Sequence, residues 1–238
     1  MNARIIRLLL GTIAAVMSIA LLLVMTRPAH AGGVVTTCNE PSLRTALAGG
    51  GAITFNCSGT ANILLSSQIV ITSDTTIDGS NGGGTQVLVF GNTRLFSVTN
   101  NIHLTLNNLT LANGVANDNG GCIYTNGILV LNNVELSQCQ AMGSGGAVFV
   151  NTGGSAEFSN SRLLNNAAGR YGGGIYSLDA LTITNSYLAY NSVSITNSEG
   201  GGLLAFGSTR IDGSTFYSNT AVAVNGSGGG IVSADTLI

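Results

Sequence analysis

Gly145-Gly146-Ala147-Val148-Phe149 decides the reading of this chain, because it recurs. Gly120-Gly121-Cys122-Ile123-Tyr124 precedes it. Gly172-Gly173-Gly174-Ile175-Tyr176, Gly200-Gly201-Gly202-Leu203-Leu204 and Gly228-Gly229-Gly230-Ile231-Val232 follow it. The steps are 25, 27, 28 and 28 residues. Self-similarity at such a period marks a repeat architecture.

A second landmark keeps nearly the same beat. Leu106, Leu131, Phe158, Ile183 and Ile211 form one apolar column. Asn108, Asn133, Asn160, Asn185 and then Gly213 stand two residues later, and Leu111, Leu136, Leu163, Leu188 and Phe216 five residues later. Three further on, Gly114 and Cys139 give way to Asn166, Asn191 and Asn219. Around the anchor, apolar residues alternate with period two, as in Leu104 and Leu106, then Leu109 and Leu111. That is the mark of strands with one buried face. Asn tolerates the left-handed backbone of a sharp bend, and Gly213 adopts it without steric cost.

Each unit therefore holds two short strands meeting at an Asn corner and a third after the Gly pair. The sequence predicts an all-β chain, a right-handed parallel β-helix with three short strands per coil. Stacked coils lie ~4.8 Å apart, so equivalent residues form ladders. Asn108, Asn133, Asn160 and Asn185 are expected at an inward corner with their amides in register. Asn166, Asn191 and Asn219 are expected to form a second ladder.

At the front, Pro41-Ser42-Leu43-Arg44-Thr45-Ala46-Leu47 before Gly49-Gly50 reads as a short helix capping the first coil. Residues 1–31 have a basic start at Arg4 and Arg7, an apolar run from Leu8 to Met25 and Ala29-His30-Ala31. That pattern describes a secretory signal peptide. An uncleaved anchor is the rival reading, and only then would the chain hold to a membrane. The expected organisation is a signal over 1–31, a cap and first strand over 32–60, and the β-helix over 61–238. Leu237-Ile238 stops one residue short of the next anchor. Further coils are therefore expected beyond it, and the open end is expected to self-associate.

Without the signal, five Arg face ten acids, and Lys is absent throughout. Such a chain has no electrostatic footprint for nucleic acid. No Gly run ends in Gly-Lys-Ser/Thr, which disfavours a phosphate cradle. The Gly-Gly-x-Gly-x-Asp pattern is also missing, so neither a metal nor another cofactor is expected. Export makes a Cys38–Cys57 disulfide the expected pairing. Cys122 and Cys139 either pair or remain buried thiols.

The acids are scattered along the chain, and His103 is the one His after the signal. Glu135 and Arg162 fall on neighbouring coils and are expected to form a surface pair. If Ile123, Val148 and Ile175 point inward, then Tyr124, Phe149 and Tyr176, followed by Leu204 and Val232, form an exposed stripe. Such a stripe suits sugar stacking or self-association. The opposite expectation is that a loop covers it or that the register is reversed.

The repeats resemble those of the chlamydial-type polymorphic membrane proteins. Gly145-Gly146-Ala147-Val148 matches one signature of that group, and Phe216-Tyr217-Ser218-Asn219 matches its Phe-x-x-Asn signature, with Leu163 to Asn166 and Leu188 to Asn191 as Leu-headed variants. The resemblance covers Leu104 to Ile238. It implies a pectin-lyase-like parallel β-helix at the cell surface or secreted, largely an adhesin or surface antigen, with carbohydrate or host-surface components as partners. The same fold carries polysaccharide lyases and glycoside hydrolases, and an enzyme of that kind is the alternative expectation.

Overall fold

The structure is a computed structural model and describes residues 32–58, 61–81, 86–195, 197–222 and 227–238. The signal segment assigned to 1–31 lies outside them. Alternation builds the coil. In His103–Asn107, Leu104 and Leu106 are buried while Thr105 is half-exposed. This strand pairs in parallel with Ile128–Asn132, which pairs with Ser155–Ser159. Leu106, Leu131, Phe158, Ile183 and Ile211 lie directly across from one another on successive coils. A parallel ladder cannot be closed by a hairpin, so the chain circles the core between strands. The result is a parallel β-helix of about 6 turns.

Four sheets run along it. Sheet A has eight strands, from Val34–Val35 to Thr209–Asp212, and carries the anchor column. Sheet B has seven, from Asn62–Leu64 to Thr215–Tyr217, and carries Leu111, Leu136, Leu163, Leu188 and Phe216 in register. Sheet D has seven, from Ile69–Ile71 to Ile231–Ser233, and follows the Gly pairs. Three strands per coil is thus an undercount. Sheet C consists of five two-residue strands: Val115–Ala116, Gln140–Ala141, Ala167–Ala168, Ser192–Val193 and Thr220–Ala221. Two residues are too few to display a period, so this sheet left no sequence signal.

Each coil turns four times, and at three of these corners a residue with positive φ makes the bend. After sheets A and B the next residue occupies the stacked corner position. After sheet A the bends are Asn108, Asn133, Asn160, Asn185 and Gly213, at φ 54, 54, 50, 49 and 56. After sheet B they are Asn113, Gln138, Asn165, Tyr190 and Ser218, at φ 57, 56, 56, 57 and 47. Before sheet D they are Gly120, Gly145, Gly172, Gly200 and Gly228.

This rule corrects the expected ladder at Asn108, Asn133, Asn160 and Asn185. These residues do make the bend, but their side chains face outward or sit half-exposed. Asn133 Nδ2 donates to Asn108 Oδ1 (2.9 Å), and Asn108 Nδ2 donates to Asp78 Oδ1 (3.1 Å). Asn160 and Asn185 have no side-chain hydrogen bond among the described residues. A left-handed residue sends its side chain out of the turn, and the following residue supplies the inner ladder. After sheet A that inner ladder is serine. The Ser161 N–H donates to Ser186 Oγ and the Ser186 N–H to Ser214 Oγ, both at 3.0 Å.

The second inner ladder is Asn166, Asn191 and Asn219. Asn191 Oδ1 accepts from the Asn166 backbone N–H (3.0 Å) and from Asn166 Nδ2 (2.8 Å). Asn191 Nδ2 donates to Leu163 O and to Asn219 Oδ1, each at 2.9 Å. Asn166 Oδ1 in turn accepts the Cys139 N–H (2.9 Å). Gly174 and Gly202 face this column. A Cβ on Gly202 would lie 3.0 Å from Asn219 Cγ, and one on Gly174 would lie 3.3 Å from Asn191 Cγ. The Gly run and the buried Asn are therefore two halves of one corner. In an earlier coil the same two positions are Cys122 and Cys139, joined by a disulfide with Cα atoms 5.5 Å apart. A covalent bridge closes there what an amide ladder closes elsewhere.

Cys38 and Cys57 form the second bridge, Cα to Cα 5.8 Å. It lies beside helix α1, Glu40–Leu47, which begins one residue before the expected Pro41. Asn39 Oδ1 caps it by accepting the Ser42 N–H (2.9 Å). Leu43 is buried in the core. Glu40 accepts from Arg44 (2.8 Å) and from the Ser66 N–H (3.0 Å), tying the helix to the first coil. The Ser66 N–H, and after it Arg44, outweighs desolvation and lowers the Glu40 pKa to about 2. In the last described coils, Ile211, Phe216 and Ile231 are only partly covered, while their upstream counterparts are buried.

Candidate binding face

Alternation in sheet D puts Ile123, Val148, Ile175 and Leu203 in the core. Their neighbours turn outward in one column: Val70, Ser97, Tyr124, Phe149, Tyr176, Leu204 and Val232. Tyr124 and Phe149 stack at 5.2 Å and 8°, and Phe149 and Tyr176 at 5.1 Å and 14°. The separation follows from the strand spacing, which sets consecutive rings one coil apart.

The column is not an open stripe. Phe149 is 6% exposed and Leu204 1%, while Tyr124 and Tyr176 are half-buried. Tyr171, from the turn before sheet D, lies over Tyr176 at 6.1 Å, and Phe206, from the turn after it, packs at 5.8 Å. The faces of Phe149 are taken by its two neighbours. What Tyr124 and Tyr176 present is ring edge and hydroxyl rather than a free π face. Burial, and after it Tyr171, raises the Tyr176 phenol above its ordinary value.

Arg94 closes the other end of the column. Its guanidinium lies 5.2 Å from the Tyr124 centroid, a cation–π contact. It also donates to Gln68 Oε1 (3.1 Å), Gly120 O (3.1 Å) and Asn119 O (2.7 Å), and it pairs with Asp118. One side chain thus ties three coils together. A shallow concavity beside it is lined by Gln68, Thr93, Val115, Asn117 and Asp118. Sequence reasoning gave no role to Arg94, Tyr171 or Phe206, because the residue type at each of these positions changes from coil to coil.

Several carboxylates hold backbone at turns and strand starts. Asp74 accepts from the His103 N–H (2.9 Å), Asp179 from the Gly153 N–H (2.9 Å) and Asp235 from the Thr236 N–H (2.7 Å). At Asp78 burial opposes ionisation, but the Ser80 N–H and the Asn108 amide outweigh it and hold the pKa below the ordinary value. Glu135 and Arg162 lie across from each other on adjacent coils, 3.7 Å apart, as the repeat register required. Such an exposed pair adds little stability. Among the described residues, no three His, Cys, Asp or Glu side chains come together in a way that would hold a metal ion. Also among them, no helix is long and apolar enough to cross a membrane. No family model matches the chain, and no curated protein or solved structure matches it.

Proposed function

We propose that this protein is an exported β-helix scaffold, secreted or held at the cell surface. It serves adhesion to carbohydrate or other surface components rather than catalysis. The observation that carries the reading is the pair of disulfides. Cys122–Cys139 takes the place of a hydrogen-bonded corner, an exchange useful only where thiols oxidise. The cleavage pattern at Ala29-His30-Ala31 supports the same address. The carboxylates support a non-catalytic role. A glycosidase needs two facing each other across a cleft. Here Glu40, Asp74, Asp78, Asp118, Asp179 and Asp235 each bond to turn backbone or to an Arg.

The long outer faces suit an adhesive scaffold, since ladders keep side chains in fixed register over many coils. Tyr124, Phe149 and Tyr176 form the ordered spine of one face. The least covered coil, with Ile231, Leu237 and Ile238, is the surface proposed for self-association. The test is expression of the chain with its own leader, followed by fractionation and binding of the purified product to glycan-coated surfaces. Recovery outside the cytoplasm with both disulfides formed and saturable surface binding is expected. Cytoplasmic retention with free thiols would overturn the proposal.

A further inference from the structure

The rings most open to solvent lie away from the sheet D column. Tyr187–Ala189 and Thr215–Tyr217 are adjacent strands of sheet B, and the bend residue Tyr190 follows the first. Tyr190 and Tyr217 are 52% and 51% exposed. Their rings meet edge to face, with centroids 5.6 Å apart and planes at 88°. An edge-to-face pair covers at most one face of one ring, whereas the sheet D stack covers both faces of Phe149. Tyr187 lies close by, across from Arg162 on the preceding strand, whose guanidinium turns to Glu135 on the coil before. Desolvation, and then the phenols of Tyr217 and Tyr187, raise the Tyr190 phenol above its ordinary value.

The backbone at Tyr190 supplies a second, independent observation. Its φ is 57, and the equivalent bends in the other coils are Asn113, Gln138, Asn165 and Ser218. A bulky aromatic in the left-handed region is strained, and Asn accommodates that conformation far better. Folding alone would favour Asn at this bend. Strain retained at an exposed aromatic is the kind of outlier that marks a site.

We propose that Tyr187, Tyr190 and Tyr217 form a saccharide platform that binds the C–H face of a pyranose ring, with the phenol hydroxyls meeting the sugar hydroxyls. The size of the patch fits this ligand. Three side chains fall far short of the ~800 Å² per partner of a stable protein interface, but they match one or two sugar rings. Tyrosine also offers an apolar face and a hydroxyl together, as a pyranose requires. The inference rests on the adhesive reading and names its ligand class and location.

The test is ligand-observed NMR, with intrinsic tyrosine fluorescence as a second readout, since the chain has no Trp. A panel of methyl pyranosides and their oligosaccharides is titrated into the purified, oxidised chain. Tyr190→Asn and Tyr217→Ala are expected to weaken binding at least about tenfold. Tyr190→Asn should do so while leaving the melting temperature unchanged or raised, which a merely structural Tyr190 would not allow. Leu64→Ala, at an exposed residue on the first strand of the same sheet, should leave binding unchanged. Binding kept with both Tyr190→Asn and Tyr217→Ala would overturn the site and leave the adhesive reading intact. Attachment to intact surfaces with no panel sugar bound would overturn the ligand class alone. No attachment and no sugar binding would overturn both.

Discussion

Asn185 and Asn191 lie on one coil and are the same residue type, yet the structure gives them opposite weights. Truncating Asn191 to Ala removes four hydrogen bonds. Its Oδ1 accepts from the Asn166 N–H and Nδ2, and its Nδ2 donates to Leu163 O and Asn219 Oδ1. Asn191 and Asn166 are both fully buried, so water does not replace the lost partners. The orphaned Asn166 N–H and Leu163 C=O each cost about 1–3 kcal/mol, giving a loss of roughly 2–6 kcal/mol. For a chain of this size that is a melting-point drop of about 4–24 °C. Asn185 makes the bend at φ 49, with its side chain exposed. Asn185→Gly relieves about 1 kcal/mol of left-handed strain and gives back roughly 0.5–1 kcal/mol in chain entropy. The net change is close to zero. Gly213 already holds this position on the next coil. Urea and thermal unfolding of the oxidised protein, followed by far-UV circular dichroism, measure both variants. Equal destabilisation by the two, or an Asn191→Ala as stable as wild type, would refute the corner rule.

The exchange of disulfide for ladder predicts that Cys139→Ser costs about 2–4 kcal/mol, and that the double change Cys122→Gly with Cys139→Asn recovers part of it; equal stabilities by urea titration would contradict the equivalence. Glu40 has its pKa lowered to about 2 from 4.5, so its contribution is full above pH 4.5 and fades as pH falls through about 2. Melting-temperature profiles of wild type and Glu40→Gln should therefore diverge above pH 4.5 and converge below pH 2. Arg94→Met removes the staple across three coils and should raise amide exchange at Gly120 and Tyr124 while leaving Ile183 protected. The 238-residue chain should associate with rising concentration in sedimentation velocity, and Ile238→Asp should reduce this.

The parts of the fold that recur were legible in the sequence, and those that occur once were not. Leu106, Leu131 and Phe158 announced their column because every coil must fill the same core position. The Asn166, Asn191, Asn219 ladder was legible for the same reason. Its distinction from the Asn108 column was not, because both corners use Asn and only the sign of φ separates a bend from the residue that follows it. The Cys122–Cys139 pairing needed the knowledge that Gly174 and Asn191 face each other one coil pair further on. The aromatic column was expected either as an open stripe or covered by a loop, and the covering residues Tyr171 and Phe206 could not be named, because the residue types at their turn positions change from coil to coil. Tyr190 and Tyr217 gave no periodic signal at all.

The central claim is that successive units stack in register as coils of one parallel β-helix. Methyl-labelled NMR on Ile, Leu and Val side chains tests it most directly. The account predicts strong contacts from Ile123 to Val148, from Val148 to Ile175 and from Ile175 to Leu203, with none from Ile123 to Ile175. A direct Ile123–Ile175 contact, or Val148 methyls touching neither neighbour, would contradict it.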